Sequence, residues 1–256
     1  MRTAHQIANL IRWDLLREMR RKETLLNMSL LAVLILFTGH LGVETFTHHF
    51  AVELGFAPAE QGAAVQKAKD TIGPVFFWIA SLFAGTVGLN HSFVNEREGT
   101  SLGGITTAPI DPGIFYLAKV AATWFYVMLM QVILFGAYVV LFNYQAGPTW
   151  GTILCAVSVF SLAYIAPGVV LAAMTTTLGG SGELILRILL FVLMIPLILL
   201  TLEVSSKLFG VAAENVPGGV LMGGNFGTLE YLLVALAFSV MYLCAGYLLF
   251  PKVLEE

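Results

Sequence analysis

The side chains able to do chemistry in this chain are few and lie far apart. ATP hydrolysis needs a glycine-rich loop that closes on a lysine and a hydroxyl, and zinc or serine hydrolysis needs its own short constellation. No GxxxxGK[ST], HExxH or GxSxG run is present, and no GxGxxG follows a strand. Cys155 and Cys244 show no CxxC or metal-ligand spacing, and each falls in an apolar run, so they read as small buried residues with no disulfide and no metal site. What remains is charge. Glu96, Arg97 and Glu98 form a tight cluster followed by Gly99 and Thr100, with Pro109 further on. Glu183 with Arg187, and Glu203 with Lys207, have the i,i+4 order that favours an ion pair along a helix, and they read as anchors at the two ends of one helix. Any work this chain does against a gradient draws its energy from elsewhere.

Composition dictates what carries these residues. Of the 256 residues 58% are hydrophobic and 11% charged, against about 25% charged in ordinary soluble domains. Between Lys119 and Glu183 there is no charged side chain. Six apolar runs stand out, at 25–43, 72–90, 120–142, 152–174, 184–202 and 231–250. As helices they are roughly 28 to 35 Å long, which matches the hydrocarbon thickness of a bilayer. Continuous apolar runs of this length exclude a transmembrane barrel, whose strands alternate over about ten residues. The expected fold class is an all-α integral membrane protein of six transmembrane helices, in a single domain over 1–256. The basic Arg20–Arg21–Lys22 stretch before the first run mimics a secretory signal, but the run is long enough to span and lacks a cleavage site, so it reads as an uncleaved first span.

Charge asymmetry orients the spans. Arg2, Arg12, Arg17, Arg20, Arg21, Lys22, Arg97, Lys119, Arg187 and Lys252 fall on one side, and only Lys67, Lys69 and Lys207 on the other. By the positive-inside rule both termini, the turn around Arg97 and the turn at 175–182 are cytoplasmic. Residues 5–23 are basic and imperfectly amphipathic, and read as an interfacial elbow helix on the cytoplasmic leaflet. Glu44 to Thr71 and a loop of similar length before the sixth run lie outside, the latter dipping into the outer leaflet; Pro167 and Pro196 kink spans four and five. Trp13, Trp78, Trp124 and Trp150 read as an aromatic belt near helix ends. The net charge of −3 gives no footing for nucleic acid, and no internal repeat marks an inverted-repeat transporter.

The segment between the second and third runs, FAGTVGLNHSFVNEREGTSLGGITTAPIDPGIFYLAKV, is the most informative. Its Glu96-Arg97-Glu98-Gly99-Thr100 cluster, the Ala108-Pro109-Ile110 step and Lys119 at the mouth of span three resemble the coupling segment of type-2 ABC exporter permeases. Within that class the chain looks most like the heme exporter protein B (CcmB) family. RWDLLREMRRKETLLNMSLLA, YIAPGVVLAA and LILRILLFVLMIPLILL resemble that family in order and spacing, whereas His91 stands where a basic residue is expected.

The resemblance implies a non-catalytic permease of the bacterial inner membrane, acting in heme delivery or export for c-type cytochrome maturation. It implies a soluble ABC ATPase partner seated on 91–119 through Glu96, Arg97, Glu98, Gly99, Thr100 and Pro109, a second copy of the permease, and other heme-handling membrane proteins with a heme chaperone. Two other readings stay open: a type-2 ABC permease for a lipid, polysaccharide or drug, and a membrane enzyme or quinone-binding subunit, which lacks the intramembrane His, Asp or Glu cluster its chemistry needs. His40 and His91 are the weak candidates for heme ligation; His48 and His49 lie just beyond the first run. No cofactor is expected on this chain alone, and heme enters as a handled ligand. The charge bias sets the first testable outcome. A periplasmic reporter is expected to be inactive after Glu256 and active within 45–70; the reverse pattern would overturn the topology.

Overall fold

The computed structural model describes residues 22–98, 111–144, 150–176, 185, 188–193, 195, 201 and 228–255, with the side chains of 90–98 and a few others outside that description. Five long helices make up these residues: α1 Lys22–Glu53, α2 Pro58–Glu98, α3 Pro112–Leu141, α4 Trp150–Thr176 and α5 Thr228–Glu255. Each contains a stretch long and apolar enough to cross a bilayer, and no strand occurs among the described residues. The run at 184–202 is only partly described, with helix at 188–193, and the 5–23 elbow, the Glu183–Arg187 and Glu203–Lys207 pairs and Pro196 lie outside the described side chains.

The helices overshoot the apolar runs, and one expectation fails as a result. Glu44 to Thr71 is not a loop. At 32 and 41 residues, α1 and α2 extend for about 48 and 61 Å, well beyond the roughly 30 Å hydrocarbon core. They form a helical hairpin closed by a few residues. Gly55 takes a left-handed φ of 75°, and the Gly55 and Phe56 amides donate back to the Val52 and Ala51 carbonyls, closing α1 as a Schellman motif. Pro58 then opens α2 at its first turn, where a missing amide hydrogen costs nothing. The protruding part of α1 exposes Phe46 and Phe50, suited to the headgroup zone.

α3 starts equally sharply, with the Asp111 side chain accepting from the Gly113 amide at 2.9 Å and Pro112 following. It ends where Asn143 adopts a φ of 52° and Tyr144 donates to the Val139 carbonyl.

α3 is the central post. It packs against all four other long helices, while α1 pairs with α2, α4 pairs with α5, and α2 also touches α4. In lipid there is no hydrophobic drive between helices, so close contact comes from small residues and interhelical hydrogen bonds. Both are present. Gly85 and Gly168 let α2 and α4 meet, with Tyr164 lying on Gly85 and Leu89 on Gly168. The Tyr116 hydroxyl donates to the Ala166 carbonyl at 3.0 Å, the Trp124 indole to Ser158 at 3.1 Å, and Ser239 of α5 to Val159 at 3.1 Å.

Two sequence readings are corrected by this packing. Trp78 and Trp124 are not belt residues: Trp78 is buried edge-on to Phe77 and Phe160, and Trp124 is tied to α4. Cys155 and Cys244 are exposed rather than buried, because apolar residues of a membrane helix face lipid as readily as the core.

The Gly85 contact generates a measurable outcome. The Tyr164 hydroxyl is buried without a hydrogen-bond partner among the described residues, and a Cβ at Gly85 would collide with it. Gly85→Val is therefore expected to lower stability by about 1 to 3 kcal/mol through overpacking, read as a drop in detergent melting temperature. Gly136→Ala, which points into open space, is the control and should leave melting nearly unchanged.

Candidate functional site

The 91–119 segment, expected from the sequence to couple to an ATPase, is built from the ends of two long helices. Glu96, Arg97 and Glu98 form the last turn of α2, in continuous helix with the span itself rather than in a separate short helix, so a push on this turn acts on the whole of α2. Their side chains, together with Gly99, Thr100 and Pro109, lie outside the description. The segment returns at Asp111, and the first turns of α3 are anchored tightly. Phe115 and Tyr116 pack on Phe250 of α5, Tyr247 lies over Gly113, and Tyr116 also lies over Gly246 while bonding to α4. Lys119 is not at the mouth of a span: only 2% of its surface is exposed, two turns inside α3. Both limbs of 91–119 are thus extensions of membrane helices.

At the opposite end stands a polar cluster that sequence reading did not assemble. His40 of α1 directs Nε2 to Glu44 at 3.2 Å, and Lys69 of α2 approaches the same carboxylate oxygen at 2.9 Å. His40 also meets the ring of Phe142 edge-on, at 5.4 Å between centroids, and Gln66 bonds to Asp70 and to the Phe142 carbonyl. The cluster fastens the α1–α2 hairpin to the end of α3. The only sign of it in sequence was a pair of lone charges that face each other once both helices are extended. His40 is enclosed here, with its Nδ1 buried and unpartnered among the described residues. His91 sits on α2, about 33 Å along the helix from Lys69. The two histidines are not brought together. His49 instead faces Glu53 at 3.7 Å on the exposed side of α1. No group of three or more His, Cys, Asp or Glu that could hold a metal occurs among the described residues.

A third polar group lies in mid-membrane. The Gln131 side-chain nitrogen of α3 donates to Ser81 Oγ of α2 at 2.7 Å, and its oxygen accepts from Ser161 Oγ of α4, also at 2.7 Å. The single Ser161 hydroxyl proton is shared between the Gln131 side-chain oxygen and the Val157 carbonyl. All three side chains are buried, Gln131 to within 1%. The sequence shows only a lone amide inside an uncharged stretch, since its partners are 50 and 30 residues away.

The described residues thus hold three features along the bundle: anchored helix ends around 91–119, a buried polar junction midway along the apolar runs, and a polar fastening at the opposite end. No curated protein matches the chain closely enough to count as a relative. The family model described as CcmB protein matches residues 6–242, nearly the whole length, and covers α1 to α4, the segment between α2 and α3, and about the first half of α5. The chain therefore belongs to the CcmB family, the membrane-embedded permease subunit of the ABC heme exporter that serves cytochrome c maturation.

Proposed function

We propose that this chain is a non-catalytic, six-span permease of the bacterial inner membrane, with both termini cytoplasmic and an amphipathic elbow at 5–23. Two copies join two soluble ABC ATPase subunits and further heme-handling membrane proteins, and the ATPase seats on 91–119 through Glu96, Arg97, Glu98, Gly99, Thr100 and Pro109. The observation that carries this reading is the family match across 6–242, supported by the continuity of Glu96–Glu98 with α2. A helix end that is rigidly part of a span turns closure of a soluble partner into displacement within the membrane. Glu183 with Arg187 and Glu203 with Lys207 anchor the fifth span in this reading.

Heme is handled by the complex and is not a resident cofactor of this subunit. A stable axial site needs an accessible imidazole in an enclosed apolar pocket with a supporting hydrogen bond. The His40 Nε2 is directed to Glu44 and its Nδ1 is buried, so neither ring nitrogen is open to an incoming porphyrin, and His91 lies toward the other end of the membrane on α2. The permease purified alone should show no Soret band at one heme per chain. A band of that size, lost in His40→Ala or His91→Ala, would contradict this.

The ATPase seat has its own test. Reversing two charges at a docking interface removes complementary attraction and adds repulsion. Glu96→Lys combined with Glu98→Lys is expected to cut ATPase retained on the purified permease by about tenfold or more, corresponding to about 1.4 kcal/mol. Intact assembly and cytochrome maturation in that double variant would reduce the turn to a solvated loop.

A further inference from the structure

The junction at Gln131 is placed where nothing in the family assignment requires a polar group. Gln131 is the midpoint of the 120–142 run and Ser81 the midpoint of 72–90, while Ser161 lies within two residues of the middle of 152–174. The three side chains therefore meet near the centre of the bilayer, where no water replaces a broken hydrogen bond. An amide has two distinct ends, and here each is committed to a different helix: nitrogen to α2, oxygen to α4. α2 belongs to the α1–α2 hairpin and α4 to the α4–α5 pair, so one side chain of the central post holds both.

We propose that Gln131 is a positioning residue for transport, transmitting to α4 and α5 the movement that the partner ATPase imposes on the cytoplasmic end of α2. The proposal rests on the functional reading above. Dispersion contacts between apolar helices are individually weak and let helices slide, whereas breaking two buried hydrogen bonds leaves polar groups unsatisfied in hydrocarbon. α2 cannot slip past α4 at this level without losing the Gln131 bonds. The close approaches at Gly85–Tyr164 and Gly168–Leu89 hold the same two helices together nearby. From α4 the displacement passes to α5 through their direct packing and through Ser239, whose hydroxyl proton is shared between the Val159 carbonyl of α4 and the Ala235 carbonyl of its own helix. Ser81 lies 17 residues before Glu98 on one unbroken helix, about 25 Å of lever between the ATPase seat and the junction.

The test uses the complete complex in membranes. Gln131→Leu keeps the bulk and removes both bonds; Ser81→Ala and Ser161→Ala remove one each. Three quantities are compared with wild type: the amount of ATPase-bound permease, the ATPase rate, and heme covalently attached to a c-type cytochrome. For Gln131→Leu the first two are expected to stay within about twofold and heme attachment to fall at least about fivefold, the lower end of typical coupling between sites. Gln131→Leu with Ser161→Ala should be no worse than Gln131→Leu alone, since both act through one bond. A merely structural role would lower all three quantities together. That proportional loss in the milder Ser81→Ala and Ser161→Ala variants, or normal heme attachment in Gln131→Leu within an intact complex, would overturn the proposal. Absence of any ATPase from the wild-type complex would instead sink the functional reading itself, and the coupling with it.

Discussion

Inside a bilayer a broken hydrogen bond finds no water, and this constraint governs the whole of the structure. It forces the backbone into helices and reserves polar side chains for junctions between them. The sharpest case is Gln131, whose amide is satisfied at one end by α2 and at the other by α4. Tyr116 and Trp124 follow the same rule, each giving its proton to a carbonyl of α4, and Ser239 shares its proton between the Val159 carbonyl of α4 and the Ala235 carbonyl of α5. α4 gathers bonds from both sides because small residues along it, from Ala156 through Ala163 and Ala166 to Ala173, allow close approach.

The two ends of the bundle are held differently. At one end, charges are fastened to one another through the His40–Glu44–Lys69 cluster, and an aromatic contact with Phe142 joins the hairpin to the central post. At the other, aromatic rings and glycines lock the beginning of α3 against α5, and the last turn of α2 has the sequence Glu96-Arg97-Glu98. The proposed ATPase seat lies at this second end, away from the His40 cluster.

Hydropathy made the spans legible, because an apolar run long enough to cross the membrane leaves few alternatives. It misjudged where the helices end. The polar stretch from Glu44 to Thr71 read as a loop, yet its punctuation was local: Gly55 stops one helix and Pro58 starts the next, and between those signals and the spans nothing breaks helix. Hydropathy also cannot separate lipid-facing from buried positions, so it does not reveal that Cys155 and Cys244 are exposed or that Trp78 is buried. The Gln131 junction was invisible for a different reason. A single glutamine and two serines carry no pattern until the fold brings three helices together. The turn at 96–98 stands out in sequence only through family likeness, and that it is the end of α2 comes from the structure.

Dependence on a partner ATPase is what separates a force-receiving permease from a free-standing channel or enzyme. Extraction of the chain in mild detergent, followed by identification of what accompanies it, tests this most directly. An ABC-type ATPase in near-equal amount is the predicted result; a folded permease repeatedly recovered without any ATPase would contradict it.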